Sequence, residues 1–177
     1  MQAANRRCRR PLGRGTYNAT ACVPISTLLP DVTRSIIVPY SASEMYAVAD
    51  DVDSYCRFLP WCSESEVLER CADEAMARVG IAYHGWQTSF TTRNRMVAGR
   101  SIEMRLLAGR AFHSLEGDWR FRPLDEAACE VELQVRFSLA AKLGDRVLGP
   151  VFSRICTELV DAFVARAKEL YGERAFA

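Results

Sequence analysis

The stretch Cys129–Leu139 alternates without a break. Its odd positions Cys129, Val131, Leu133, Val135, Phe137 and Leu139 are apolar, and its even positions Glu130, Glu132, Gln134, Arg136 and Ser138 are polar. Successive side chains on a strand point to opposite faces, so this period of two predicts a strand with one face on a core and the other in water. A sheet of that kind must bury its apolar face against another layer. The partner is written at the end of the chain. Val147, Val151, Ile155, Leu159, Phe163 and Leu170 recur at helical spacing, widened by Phe152, Val160, Val164 and Ala167, while Arg154, Glu158, Asp161, Arg166 and Lys168 face the other way. Gly149 and Pro150 interrupt the start of this stripe, which predicts a kink there or a helix with Pro150 in its first turn.

The rest of the chain supplies more sheet. Folding is expected to begin near Asp31, with a first strand over Thr33–Val38 ended by Pro39. Ser41 with Glu44 three residues later forms a capping box for a short helix whose apolar face is Met45, Val48 and Ala49. Asp53 is expected to cap a second short helix, with Tyr55, Phe58 and Leu59 on one side, before Pro60 breaks it. From Ser63 onward the period is two: Ala77, Val79, Ile81 and Tyr83, then a turn at His84-Gly85, then a strand from about Gln87 to Val97. That strand carries Thr88, Ser89, Thr91, Thr92, Arg93, Asn94 and Arg95, so it predicts an exposed face or a partly wet interior. Ile102, Met104 and Leu106, then Leu115, Gly117, Trp119 and Phe121, alternate in the same way. The order is one strand, two short helices, about six antiparallel strands and one long helix. This is an α+β chain, a curved sheet of about seven strands wrapped around its C-terminal helix, with a pocket wherever the two do not meet completely.

Charge divides the 177 residues unevenly. The whole chain carries +1, yet residues 1–30 hold five Arg and no acid, residues 31–74 three bases against ten acids, and residues 75–124 eight bases against three acids. Residues 1–30 are expected to be a basic, disordered extension ahead of a domain over 31–177. Their longest charge-free run, Gly15–Pro30, is too short and too polar to span a membrane.

The seven cysteines, Cys8, Cys22, Cys56, Cys62, Cys71, Cys129 and Cys156, have no two-residue spacing, and the two histidines, His84 and His113, stand far apart. Neither a zinc site nor a disulfide framework is implied; buried reduced thiols of a cytoplasmic protein are expected. No phosphate-cradling glycine loop occurs, and neither histidine has a carboxylate or nucleophile at informative spacing, so no catalysis and no required cofactor are expected.

Several runs together resemble a known family: Val38-Pro39-Tyr40-Ser41-Ala42, Asp51-Val52-Asp53-Ser54-Tyr55, Phe58-Leu59-Pro60-Trp61-Cys62, Phe90-Thr91-Thr92-Arg93-Asn94, Trp119-Arg120-Phe121 and the closing Ala162–Tyr171. Over about residues 32–172 the chain resembles the coenzyme Q-binding START-like family, whose bacterial branch is called the ribosome association toxin, and whose fold also hosts polyketide cyclases and dehydratases. The resemblance implies the helix-grip fold. It also implies a non-catalytic protein that holds ubiquinone or a related lipid in a tunnel and supports respiratory electron transport. The walls would be Phe58, Leu59, Pro60 and Trp61 at the mouth, Met104, Leu115, Trp119 and Phe121 on the sheet, and Val151, Ile155, Leu159 and Phe163 on the helix. The alternative it implies is a toxin, paired with a small antitoxin protein, that binds the large ribosomal subunit and blocks subunit joining. Arg93, Arg95, Arg100 and Arg105, with Arg110, are then the candidate contacts with rRNA phosphates. Either role places the protein in the cytoplasm, with peripheral contact at the inner membrane compatible with the first.

Overall fold

The computed structural model of the chain describes residues 31–176 apart from His84 and Ala141, and the backbone alone for 142–148. The expected extension 1–30, the His84 half of the expected turn and the Val147 side chain lie outside the described residues. Strand β1 (Asp31–Val38) leads into α1 (Ala42–Asp50), a short 3-10 turn (Val52–Ser54) and α2 (Tyr55–Phe58). Six strands follow: β2 (Cys62–Arg70), β3 (Glu74–Tyr83), β4 (Trp86–Val97), β5 (Ser101–Ala108), β6 (Phe112–Pro123) and β7 (Cys129–Leu139). The chain closes on α3 (Lys142–Tyr171). The strands form one antiparallel sheet in the order β1-β7-β6-β5-β4-β3-β2.

Strand β7 sits between β1 and β6 and shows the burial its sequence demands. All six odd residues are buried and none of the even ones is. On the wet face its polar side chains meet opposite charges one strand away: Arg122 with Glu130, Arg120 with Glu132 at 3.4 Å, and Arg136 with Glu116 at 3.1 Å. Each pair lies directly across the β6–β7 ladder, so the register aligns the charges as well as the backbone.

Helix α3 packs its stripe of Phe152, Ile155, Cys156, Val160, Phe163 and Ala167 onto the sheet. Of the two alternatives at Pro150, a helix starting there does not hold, since α3 runs through it. Leu170 is 49% exposed because the stripe ends a turn earlier, at Ala167. The first helix is capped as its sequence requires: the Glu44 amide donates to Ser41 Oγ at 3.2 Å, and the Ser41 amide donates to Glu44 Oε2 at 2.9 Å. The chain end then clamps this helix, since Arg174 forks onto both Glu44 oxygens at 2.9 Å and the Tyr40 hydroxyl donates to Gly172 O at 2.9 Å. The guanidinium beside Glu44 is the main reason its carboxyl titrates below the usual range.

Asp53 does not cap α2, and Ser54 at its N-cap position makes no side-chain cap either. Its carboxylate instead accepts the Val67 amide at 2.7 Å, tying the 3-10 turn to β2. The register of β2 slips between Cys62 and Glu64, where Gly80 of β3 comes so close that a Cβ there would lie 2.9 Å from Glu64 Cβ. The β3–β4 turn is closed by Tyr83 facing Trp86, with Gly85 at φ +81°. Only Gly adopts that conformation without cost.

Candidate functional site

The inner face of the sheet and α3 enclose a cavity of about 80 Å³. Six of the twelve residues expected to form its walls line it: Trp61, Met104, Leu115, Trp119, Leu159 and Phe163. The other six lie elsewhere. Leu59 and Ile155 are packed core at 1% exposure, and Phe121 stacks on Trp119 with ring centroids 6.0 Å apart, facing Tyr46 on its far side. Val151 is half-buried outside the lining, and Pro60 is exposed. Phe58 packs edge-on against Phe163 at 5.2 Å, with the Arg166 guanidinium 5.7 Å from its ring, and so covers the chamber from outside.

Phe163 is the hub of this cover. Its ring meets Tyr55 at 5.2 Å and Trp119 at 5.0 Å as well as Phe58, so one helix residue joins α2 to the middle of the sheet. Gly117 leaves room for Met104, whose terminal methyl occupies the space a Cβ would take.

The wall residues not expected include apolar side chains such as Phe90, Ile102 and Phe152, small ones such as Ala49 and Gly117, and two polar ones on β4. Thr92 and Asn94 point inward from β4 and are buried at 4% and 5% exposure. The Thr92 hydroxyl donates to the Asn94 carboxamide oxygen at 2.7 Å, and among the described residues the Asn94 amide nitrogen has no partner. The signal for them was the polarity of this strand, which reflects a partly polar interior as well as an exposed face. Inward positions of β4 read Phe90, Thr92, Asn94 and Met96, so two polar groups sit where the alternation calls for apolar ones.

Two lining groups can ionise. The Tyr55 hydroxyl donates to Ala49 O at 2.6 Å and burial pushes its ionisation far up, with Asp50 and Asp51 adding to the effect. Burial pushes the Cys156 thiol up to about 12. Both stay neutral near neutral pH, so the chamber presents apolar walls and the Asn94 amide, with no poised acid or base among its described lining residues. Among the described residues no cluster of His, Cys, Asp and Glu is arranged to hold a metal ion, and no helix is long and apolar enough to cross a membrane.

On the outer face lie Arg93, Arg95 and Arg105 of neighbouring strands. Acids from other strands interleave with the arginines. Arg95 faces Glu103 and reaches Glu74 at 3.6 Å, and Arg105 is bound to Asp118 at 2.9 Å and to two backbone carbonyls. Among the described residues Arg93, Arg100 and Arg110 make no ion pair, and Arg93 stands directly opposite Arg105 across the β4–β5 ladder. The cysteines also depart from expectation. Cys129 and Cys156 are buried, but Cys56 and Cys71 are exposed and Cys62 is half-buried.

The profile of the polyketide cyclase / dehydrase and lipid transport family matches residues 38–164. The ribosome association toxin RatA of Escherichia coli K12 is 40% identical over 147 residues, 83% of this chain and 92% of that protein. The mitochondrial coenzyme Q-binding protein COQ10 of Drosophila melanogaster is 26% identical over 143 residues, 79% of this chain and 59% of that protein. Among solved structures, the Zhui aromatase/cyclase from Streptomyces sp. R1128 superposes with a TM-score of 0.72 at 22% identity, over 83% of this chain and 97% of that one, a likeness of fold. The helix-grip architecture and the match over most of its length together establish that this chain belongs to the START-like polyketide cyclase / dehydrase and lipid transport family.

Proposed function

We propose that the chain acts through its surface by associating with the ribosome, binding the large subunit and blocking subunit joining, without catalysing a reaction. The observation that carries this reading is the 40% identity to a ribosome association toxin across 92% of that protein, against 26% across 59% of a coenzyme Q-binding relative. The small chamber supports it. About 80 Å³ falls well below the roughly 300–1,000 Å³ of pockets that enclose a small-molecule ligand.

On the outer face, Arg93 is the residue best placed to meet a phosphate. It is exposed, has no ion pair among the described residues, and faces the like charge of Arg105, a repulsion that a bound anion relieves. Arg95, two residues along β4, and Arg100, in the β4–β5 turn, are secondary contacts, while Arg105 is committed to Asp118 and orients rather than binds. The test is a sucrose gradient of ribosomes incubated with purified protein. The expected result is a shift from joined ribosomes to free subunits, lost on raising salt and weakened in Arg93→Glu/Arg95→Glu. Unchanged profiles at low salt would overturn the reading.

A second reading, binding of an isoprenoid quinone or related lipid in the chamber, is favoured by one observation. A buried Thr92–Asn94 pair in otherwise apolar walls leaves an amide donor for a ligand carbonyl. It requires the chamber to widen, with Met104 and Leu159 changing rotamer. Solvent extraction of the purified protein checks it, and finding neither lipid nor saturable uptake of a quinone analogue would count against it.

A further inference from the structure

Two thiols meet at the neck between α2 and β2. Cys56 lies in α2 and Cys62 opens β2, yet their sulfurs are 3.4 Å apart. The separation exceeds a disulfide bond, about 2.05 Å, by roughly 1.4 Å. Strand β2 holds both groups. Ser65 Oγ accepts the Cys56 amide at 3.3 Å and donates to Cys56 Sγ at 3.2 Å, while the Cys62 thiol points to Glu64 O at 3.3 Å. Cys56 is exposed and reachable from solvent, and Cys62 is half-buried behind it.

We propose that Cys56 and Cys62 form a modification site that takes a small disulfide, such as oxidised glutathione, and becomes an intramolecular disulfide. The Cys56 thiolate attacks one glutathione sulfur, the glutathione disulfide breaks, and one glutathione thiolate leaves. The Cys62 sulfur then attacks Cys56 Sγ in the mixed disulfide and expels the second glutathione. Two protein thiols are oxidised, one glutathione disulfide is reduced to two thiols, and the two protein protons end on those thiols. The order follows from access. Burial, with the neighbouring Cys56, pushes the Cys62 thiol up to about 12, so it is a poor first attacker, but its proximity to Cys56 makes the second, intramolecular step efficient.

The bond would close a ring that contains Leu59 and Trp61, one packed in the core and the other in the chamber wall. Oxidation would therefore fix the segment that covers the chamber. The site stands on its own geometry and does not depend on either functional reading above.

Trypsin cleaves after Arg57 and separates the two cysteines, so peptides 35–57 and 58–70 carry one each. Full-length protein is incubated with oxidised glutathione, acid-quenched, alkylated and digested without reductant for mass spectrometry. The expected result is the linked pair 35–57/58–70, lost on adding dithiothreitol and absent from Cys56→Ser. In Cys62→Ser, glutathione is expected to remain on Cys56. The proposal is overturned if wild-type Cys56 carries only glutathione while Cys62 stays alkylated, if Cys56 is linked to another cysteine, or if neither cysteine reacts. Circular dichroism of both variants confirms that they fold.

Discussion

Thr92 donates its hydroxyl proton to the carboxamide oxygen of Asn94 across 2.7 Å, within the apolar interior where the sheet faces α3. A buried pair of this kind is stable because each group answers the other. Removing one partner leaves the other's oxygen or hydroxyl without a bond in a low-dielectric site. Thr92→Val is expected to cost about 1–3 kcal/mol in equilibrium denaturation, while Thr92→Val/Asn94→Leu is expected to recover most of it. If the double substitution costs the sum of the singles, the pair is not acting as a unit.

Phe163 joins Tyr55, Phe58 and Trp119 in one aromatic cluster. Phe163→Ala is expected to destabilise by about 3–5 kcal/mol through the lost contacts and the enlarged void. Phe163→Leu should cost less and widen the chamber. Denaturant midpoints measure the first effect, and binding of a hydrophobic fluorescent dye measures the second.

The Glu44–Arg174 clamp makes the stability of the chain end depend on pH. Arg174 holds the Glu44 carboxyl below its ordinary value, so the folded state binds this proton less readily than the unfolded one. The contribution is therefore fully present above the unfolded carboxyl value and is lost as pH falls through the lowered folded one. The Tm difference between wild type and Arg174→Met should be constant near neutrality and shrink in acid. A difference that persists unchanged down to pH ~2, below the unfolded value of about 4.3, would contradict this origin.

One glycine is expected to tolerate no added methyl. At Gly80 a Cβ would press on the Glu64 backbone nitrogen at 3.2 Å across the slipped β2–β3 register, so Gly80→Ala should destabilise by about 1–3 kcal/mol. Thermal unfolding of the variant beside wild type checks this, and an unchanged Tm would contradict it.

Much of the fold was legible because it rests on local rules. The alternation of Cys129–Leu139, the capping box at Ser41 and Glu44, and the stripe of α3 each depend on residues a few positions apart, so period and spacing reveal them. Strand β2 was much less legible. Its burial is irregular, and two register slips break the alternation on which such a reading depends. The site was half legible. Trp61, Met104, Leu115, Trp119, Leu159 and Phe163 line the chamber, but so do Thr92 and Asn94, whose polarity conceals an inward-facing position.

The sequence by itself determined which residues belong to strands and helices and which faces of them are apolar, because those properties follow from the repeat of a single element. The tertiary structure alone decided which elements meet. It placed Val67 on Asp53, set acids of neighbouring strands among the arginines of residues 75–124, and brought the sulfurs of Cys56 and Cys62 to 3.4 Å. It also decided the chamber. Strand order and register are relations between distant segments, and a void is what remains between two packed surfaces, so neither can be read from the periodicity of one.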